Sequence, residues 1–591
     1  MSAKRPTVSP ELIAALIEST PDRVRRRLDR TPDAAANWDW QSGDEIWLVN
    51  TGGETVKLPL GHVFSIEQLS CTCLLSPKCF HVLACLTKLE VAILGSEVAE
   101  TTRGEETAQA ESAAFGVDED VAEPDEKQWH AAGELAKNVG QLLRAGVANA
   151  GLVLQSGLLR SVHQCRAEGL HRLAAAGLRV LAGTSQFRAR SPESDPAQLA
   201  EDVADALETS HHLLSRKAIA SFWIGTARRK QLPARPRKLH GLLAEPIITR
   251  SGYAGAAAYF LGEDDRIYTA SDVRPGDSQH ARDAYLGGIE IGPMIQPAKQ
   301  LARGLYLGTD LTASQDGRLG RGKGIKIVEQ GQSTWQAEAI QARFRRSFLE
   351  QVNAVYEYAS LPADTRPAGW DFVFLVGAVV GALGAELLFH LTAENQPIRL
   401  AIENESESLY FRENLRMLSY APGLQLRIIA RVNLQEPTIV NPLAAARVEA
   451  DSQQVDEPRM EVPKQLAGRV CLGFDEIQRN YLINSQDSPV VLSTQNLQVD
   501  KVEPLSSLQR RWIAAMLSGI LSRRQSNRNR VAAEATSLNR NGFATGAALL
   551  DALTRIHETG GPTNIDLFLA TSLYLRNCRY ELAKRRITIG D

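Results

Sequence analysis

No stretch of this 591-residue sequence carries an enzyme signature that can be read without a structure. There is no HExxH pair, no Ser/His/Asp set and no dinucleotide fingerprint. The nearest approach to a phosphate-binding loop is GRLGRGKG at 317–324, and it lacks the hydroxyl after Lys323 because position 324 is Gly. IKIV follows, which reads as a strand where such a loop needs a helix, so a basic hairpin turn is expected there. An excess of one charge is also missing. Lys and Arg total 66 against 69 Asp and Glu, a net charge of −3, which excludes a generic polyanion binder and leaves room only for local patches. Long apolar runs are absent too. The best one, Phe372 to Leu391, is uncharged for 14 residues and then meets Glu386. A span needs about 20 apolar residues. The valines and the Gly381–Gly384 break predict two strands and a turn instead. The polar start, MSAKRPTVSPEL, has no apolar core of a signal peptide.

Cysteine is scarce, and its distribution is informative. Of seven cysteines, Cys71, Cys73, Cys79 and Cys85 fall within fifteen residues, while Cys165, Cys471 and Cys578 stand alone. An odd number in a long chain is no secreted disulfide framework. Clustering points to a metal in a reducing, cytoplasmic compartment.

The length implies two to four domains, and the texture predicts an α+β multidomain chain. Residues 1–96 read as an N-terminal helix followed by a small ββα module: Asp44 to Val56 forms two strands around Gly52-Gly53, and His81 to Leu94 has helical apolar spacing. Residues 97–127 hold eleven carboxylates against Arg103 and Lys127, the composition of a disordered acidic linker. Residues 128–217 are Ala- and Leu-rich at helical spacing, a bundle of three or four helices with a turn at Ser191 to Pro196. Residues 239–350 are β-rich. Residues 368–450 repeat that grammar as three strands, a helix at Phe411 to Leu418 and two strands, which is the order of an OB-type barrel. Residues 470–591 are expected to be a helical C-terminal region, and from Lys501 onward carry 14 basic against 7 acidic residues.

The cysteine cluster reads Cys71-Thr-Cys73, five residues, Cys79-Phe-His81. Zinc takes four thiolate or imidazole ligands at tetrahedral corners. Pro77 in the spacer favours a bend that returns the chain. Cys79 and His81 fall at the start of a helix, where free N–H groups stabilise a thiolate. The pattern resembles the SWIM-type zinc finger, whose signature is CxC, a spacer and CxH. VKLPLGHVFSIEQLSCTC is similar to that family's hairpin and CFHVLACL to its helix, so the resemblance covers about residues 40–92. It implies a multidomain, bacterial-type chain with one structural Zn2+ per chain, held by Cys71, Cys73, Cys79 and His81. Cys85, one helical turn after His81, is either a competing ligand or an inert core residue. Four protein ligands leave no open position, so a catalytic zinc is disfavoured.

The resemblance implies an interaction role with a protein or nucleic-acid partner. Two basic stretches bear on nucleic acid. Arg228, Arg229 and Lys230 open the run to Lys238, and Arg523, Arg524, Arg528 and Arg530 form a second. Both lack interleaved aromatics, so solvated faces compete with phosphate contacts as their reading. Three functions follow as expectations: a zinc-stabilised adaptor, a DNA- or RNA-binding protein using the OB-like regions, and an enzyme whose site lies in the β-rich middle without a readable motif. His163, Cys165, His171, His211 and His212 sit in helical texture and read as packing or surface residues.

Overall fold

The computed structural model describes the chain outside residues 1–4, 9–11, 13–15, 17–19, 21–23, 25–30, 32–33, 44–45, 64, 92–120, 193, 216, 227–230, 250–251, 323, 404–405, 449–455, 493–504, 520–527, 556–562 and 589–591. The described residues are mixed α and β, with fourteen α-helices and several separate sheets. Among them no helix is long and apolar enough to cross a membrane. The chain divides into two compact units: residues 1–227 with 502–575, and residues 228–501 with 576–591.

The first unit begins with a small β module. β1 (Thr7–Val8) precedes β2 (Asp39–Ser42), β3 (Ile46–Asn50) and β4 (Thr55–Pro59). Then come β5 (His62–Val63), β6 (Ser70–Cys71), helix α1 (Phe80–Leu86) and β7 (Glu90–Val91). β2, β3, β4 and β6 form one antiparallel sheet. Its β3–β4 turn holds Gly52 at φ +90°, a conformation that favours glycine. Trp47, Val49, Val56 and Leu58 alternate onto one face and are buried against Val82, Leu83 and Leu86 of α1 in one apolar core.

The rest of the first unit is mostly helical. β8 (Val121–Ala122) leads into α2 (Glu126–Ala145), α3 (Leu152–Ala167), α4 (His171–Arg188) and α5 (Pro196–Leu214). Asp125 caps α2 through a reciprocal box with Gln128, and Asp195 with Pro196 starts α5. β9 (Ile219–Ala220) pairs back onto β8. Among the C-terminal helices, Trp512 is fully buried and donates to the Phe568 carbonyl at 3.1 Å.

The second unit contains two five-stranded blocks of the same order. β10 (Leu232–Pro233) precedes the first block, which comprises β11 (Lys238–Ile248), β12 (Tyr253–Gly262), β13 (Ile267–Pro275), helix α6 (Ser278–Leu286), the hairpin β14 (Gly288–Ile291) and β15 (Met294–Pro297), helix α7 (Ala298–Leu301), β16 (Gly304–Thr309), β17 (Thr312–Ala313) and β18 (Lys326–Gln332). Its sheet runs β13-β12-β11-β16-β18. After α8 (Glu338–Phe344) and α9 (Phe348–Ala359) comes the second block: β19 (Phe372–Leu383), β20 (Glu386–Leu391), β21 (Gln396–Leu400), α10 (Phe411–Leu418), β22 (Gln425–Val432) and β23 (Ile439–Arg447). Its sheet runs β21-β20-β19-β22-β23 and closes through a parallel pairing of β21 with β23. A third–second–first–fourth–fifth order, with a helix between the third and fourth strands and a parallel closure, is that of an OB barrel. In the first block the outer edge of β13 is met instead by a loop segment: Gly317 to Leu319 runs parallel beside Thr269. Thus GRLG, the start of the near-miss phosphate loop, lies along the edge of β13 and forms one arm of a small hairpin with β17.

Some segments differ from the sequence reading. The helix expected over His81 to Leu94 stops at Leu86, and Glu90–Val91 is instead a strand pairing with Thr7–Val8. Of the N-terminal helix over residues 1–36, Leu12, Leu16 and Val24 are helical, Thr7–Val8 is strand, and most of the remainder lies outside the described residues. The acidic stretch lies outside them through residue 120, whereas Val121 onward is strand and helix cap. Before the C-terminal helices start at Ser506, residues 459–483 form β24 (Arg459–Met460), β25 (Arg469–Cys471) and β26 (Leu482–Ile483), with β25 added to β23.

Asn414 of α10 holds the following loop to the second barrel. It is fully buried, donates from Nδ2 to the Leu472 and Asp475 carbonyls at 2.8 and 2.7 Å, and accepts from the Ile477 N–H at 2.7 Å. Asn414→Ala strands two carbonyls and one N–H in the interior, which costs about 2–5 kcal/mol. Urea unfolding of the variant should show the second unit's midpoint shifted down and the first unit's unchanged.

Candidate metal centre

Each ligand candidate is placed by a different local device. Cys71 ends β6, in register with Val56 of β4, and the ladder continues one residue further as Thr72 N–H donates to the Thr55 carbonyl at 3.1 Å. The Cys71 N–H turns to Ser76 Oγ at 2.8 Å, and the Ser76 N–H donates to the Cys73 carbonyl at 3.2 Å. These bonds fold the five-residue spacer back on itself, so Cys73 and Cys79 meet. Cys79 is extended, with φ −116° and ψ 164°, and is the N-cap of α1; its Sγ accepts the Val82 N–H at 3.4 Å. His81, in the first turn of α1, lies with its ring 6.0 Å from that of Trp38 and brings Nδ1 to 3.7 Å from Cys71 Sγ.

The result is a set of four ligand atoms, from Cys71, Cys73, Cys79 and His81, all within 4.8 Å of one another. A tetrahedral ion with bonds of about 2.3 Å to sulfur and 2.0–2.1 Å to nitrogen has S···S edges of about 3.8 Å and S···N edges of about 3.6 Å. The observed sulfur–nitrogen distance of 3.7 Å fits that edge. The cluster can therefore hold one metal ion without rebuilding the backbone. Cys85 is not among these groups. It faces the apolar core, fully buried, which pushes its thiol well above the ordinary range.

Among the described residues, the others singled out from the sequence form no second metal-ligating group. Arg228, Arg229, Lys230, Arg523 and Arg524 lie outside the described residues. Arg528 begins the helix Arg528–Arg540, and Arg530 pairs with Glu534 at 3.3 Å. Glu534 also pairs with Arg511 at 2.9 Å. His163 and Cys165 lie on α3, with Cys165 buried. His212 stacks on Trp223 with ring centroids 3.9 Å apart, a contact the helical periodicity did not reveal because Trp223 lies beyond the helix.

Burial raises two thiols of the cluster. Cys79 is pushed up to about 12, first by desolvation and then by the neighbouring Cys73 and Cys71, against the Val82 N–H that favours its thiolate. Cys71 is raised as well, again chiefly by burial. Both thiols are therefore protonated at neutral pH, and a metal must displace their protons to bind. Affinity is full where the thiolates form easily and is lost as pH falls. Isothermal titration with zinc should show at least two protons released, one from each of these cysteines, and an apparent affinity dropping by at least about 100-fold for each pH unit below neutrality.

Compared with protein-family models, with curated proteins and with solved structures, the chain matches none of them.

Proposed function

We propose that Cys71, Cys73, Cys79 and His81 hold one structural zinc ion in a SWIM-type zinc finger, and that the chain works as an interaction protein built around it. The observation that carries this reading is the convergence of three sulfurs and one imidazole nitrogen within 4.8 Å. The flanking antiparallel sheet and the helix capped by Cys79 support it. Three thiolates and an imidazole suit zinc better than the hard, oxygen-seeking cations. The ion would supply cohesion: it ties the end of β6 to the start of α1, with all four positions filled by protein and none left for substrate. Purified chain should carry one zinc, measured by elemental analysis, and Cys73→Ala should lose it. Zinc retained at full stoichiometry in that variant would sink the assignment.

A second reading, binding of nucleic acid, draws on the strand order of β19 to β23, since OB barrels commonly bind oligonucleotides. Its support is fold analogy alone. A mobility shift of single-stranded probes, weakening steeply between about 50 and 200 mM salt, is the outcome expected from this reading. No shift at low salt leaves the protein-partner reading standing.

A further inference from the structure

We propose that the metal cluster is a peroxide-sensitive switch, in which Cys73 and Cys79 join as a disulfide and release the ion. The inference rests on the zinc reading and adds its regulation. Two observations carry it, accessibility and the unequal anchoring of the three sulfurs. Cys71 and Cys73 are only half-buried, whereas Cys79, Cys85, Cys165 and Cys471 are buried. Cys73 stands between exposed Thr72 and fully exposed Leu74, with Leu75 also out in solvent, so a small oxidant reaches its sulfur.

Anchoring selects the pair. Cys71 is fixed by its ladder with Val56, by its N–H on Ser76 and by the approach of its sulfur to His81. Cys71 and Cys73 flank a single residue, Thr72, whose N–H is still bonded to β4, so a bridge between them would close a tight ring across a held backbone. A disulfide needs a dihedral near 90° and converging Cβ atoms, which that arrangement denies. Cys73 opens a loop whose leucines contact solvent, while Cys79 waits at the helix cap. Their sulfurs, within 4.8 Å, need to close to about 2.05 Å. Cys85 faces the core and takes no part.

The chemistry balances. The Cys73 thiolate attacks one oxygen of hydrogen peroxide and the O–O bond breaks, giving Cys73 sulfenic acid and a hydroxide that leaves as water after taking a proton. The Cys79 thiolate then attacks the Cys73 sulfur. The S–S bond forms, the S–O bond breaks, and the second hydroxide takes a proton and leaves as water. The two thiolates give up two electrons and peroxide accepts them. Cys71 and His81 remain as a two-ligand site, too few to retain zinc against solvent.

The test uses the full chain, loaded with zinc and freed of reductant. Hydrogen peroxide is added, zinc release is followed with a chromogenic chelator, and the digest is mapped by mass spectrometry. One zinc should leave per disulfide formed, the cross-linked peptide should join Cys73 to Cys79, and thiol reductant with added zinc should restore the loaded state. Cys85→Ala should release zinc at the wild-type rate. Zinc retained under peroxide, loss accompanied by sulfinic acids without a disulfide, a link between another pair, or release slowed tenfold in Cys85→Ala would each overturn the proposal. A chain that takes up no zinc fails the earlier reading before peroxide is added, and the switch falls with it.

Discussion

A helix of seven residues does not hold its own first turn. Isolated helices shorter than about 12–15 residues are marginal in water, and α1 spans only Phe80 to Leu86. Six of its seven side chains are buried, which secures its core face against the sheet. Its N-terminus depends on Cys79, whose sulfur takes up the Val82 N–H, and on whatever fills the space between that sulfur and its three neighbours. Burial raises the Cys79 and Cys71 thiols, because thiolates packed together without a cation repel each other and lose hydration. The same packing that orders the helix therefore makes a cation the natural partner of the cluster. Core formation and the gathering of these four metal-ligating groups are two sides of one constraint.

The second unit solves a different problem, that of joining two five-stranded blocks, and does so with buried charge. Arg431 on β22 lies between Glu245 on β11 and Asp371 just before β19, and Tyr259 donates to the same Glu245. Arg469 on β25 is fully buried and donates to the carbonyls of Ser333, Gly241 and Ala302 at 2.6, 3.0 and 2.6 Å. Burial, with Arg303 nearby, lowers its pKa to about 9. One strand thus extends the second block's sheet while its guanidinium satisfies carbonyls of the first. Buried ions are expensive to desolvate and punish misregistered packing, so they favour one docking of the blocks over others. Arg303 adds to this by pairing with Asp475, which also accepts from the Tyr285 hydroxyl at 2.8 Å.

Strong local pattern made much of this legible. In the second block the valines of Phe372 to Leu391 and the Gly381–Gly384 break predicted two strands and a turn, and β19 and β20 flank a two-residue turn with Gly384 at φ +62°. The helix at Phe411 to Leu418 was equally plain, with Phe411, Leu415 and Leu418 on one face. The pattern failed where a distant partner outweighed it. The apolar spacing after Leu86 continues at helical period, yet Glu90 and Val91 pair with Thr7 and Val8, more than eighty residues earlier. Arg469 offered no signal at all, since a lone arginine in sequence reads as surface and only the carbonyls around it make burial possible.

The sequence by itself determined the identity and order of the four ligand candidates, because they lie within eleven residues and a turn and a helix cap suffice to gather them. It determined as well the strand–helix–strand grammar of the second block, since period and turn residues are local, but not helix α6 or the β14–β15 hairpin of the first. Tertiary structure alone decided that Cys85 turns into the core and away from the cluster, because the packing of α1 on the sheet sets which helical face is apolar. It alone decided that the second block closes by β21 on β23 and that Gly317 to Leu319 lies along β13 in the first. Those pairings join residues about forty to fifty positions apart, where no local propensity reaches and backbone hydrogen bonding and burial select the partner.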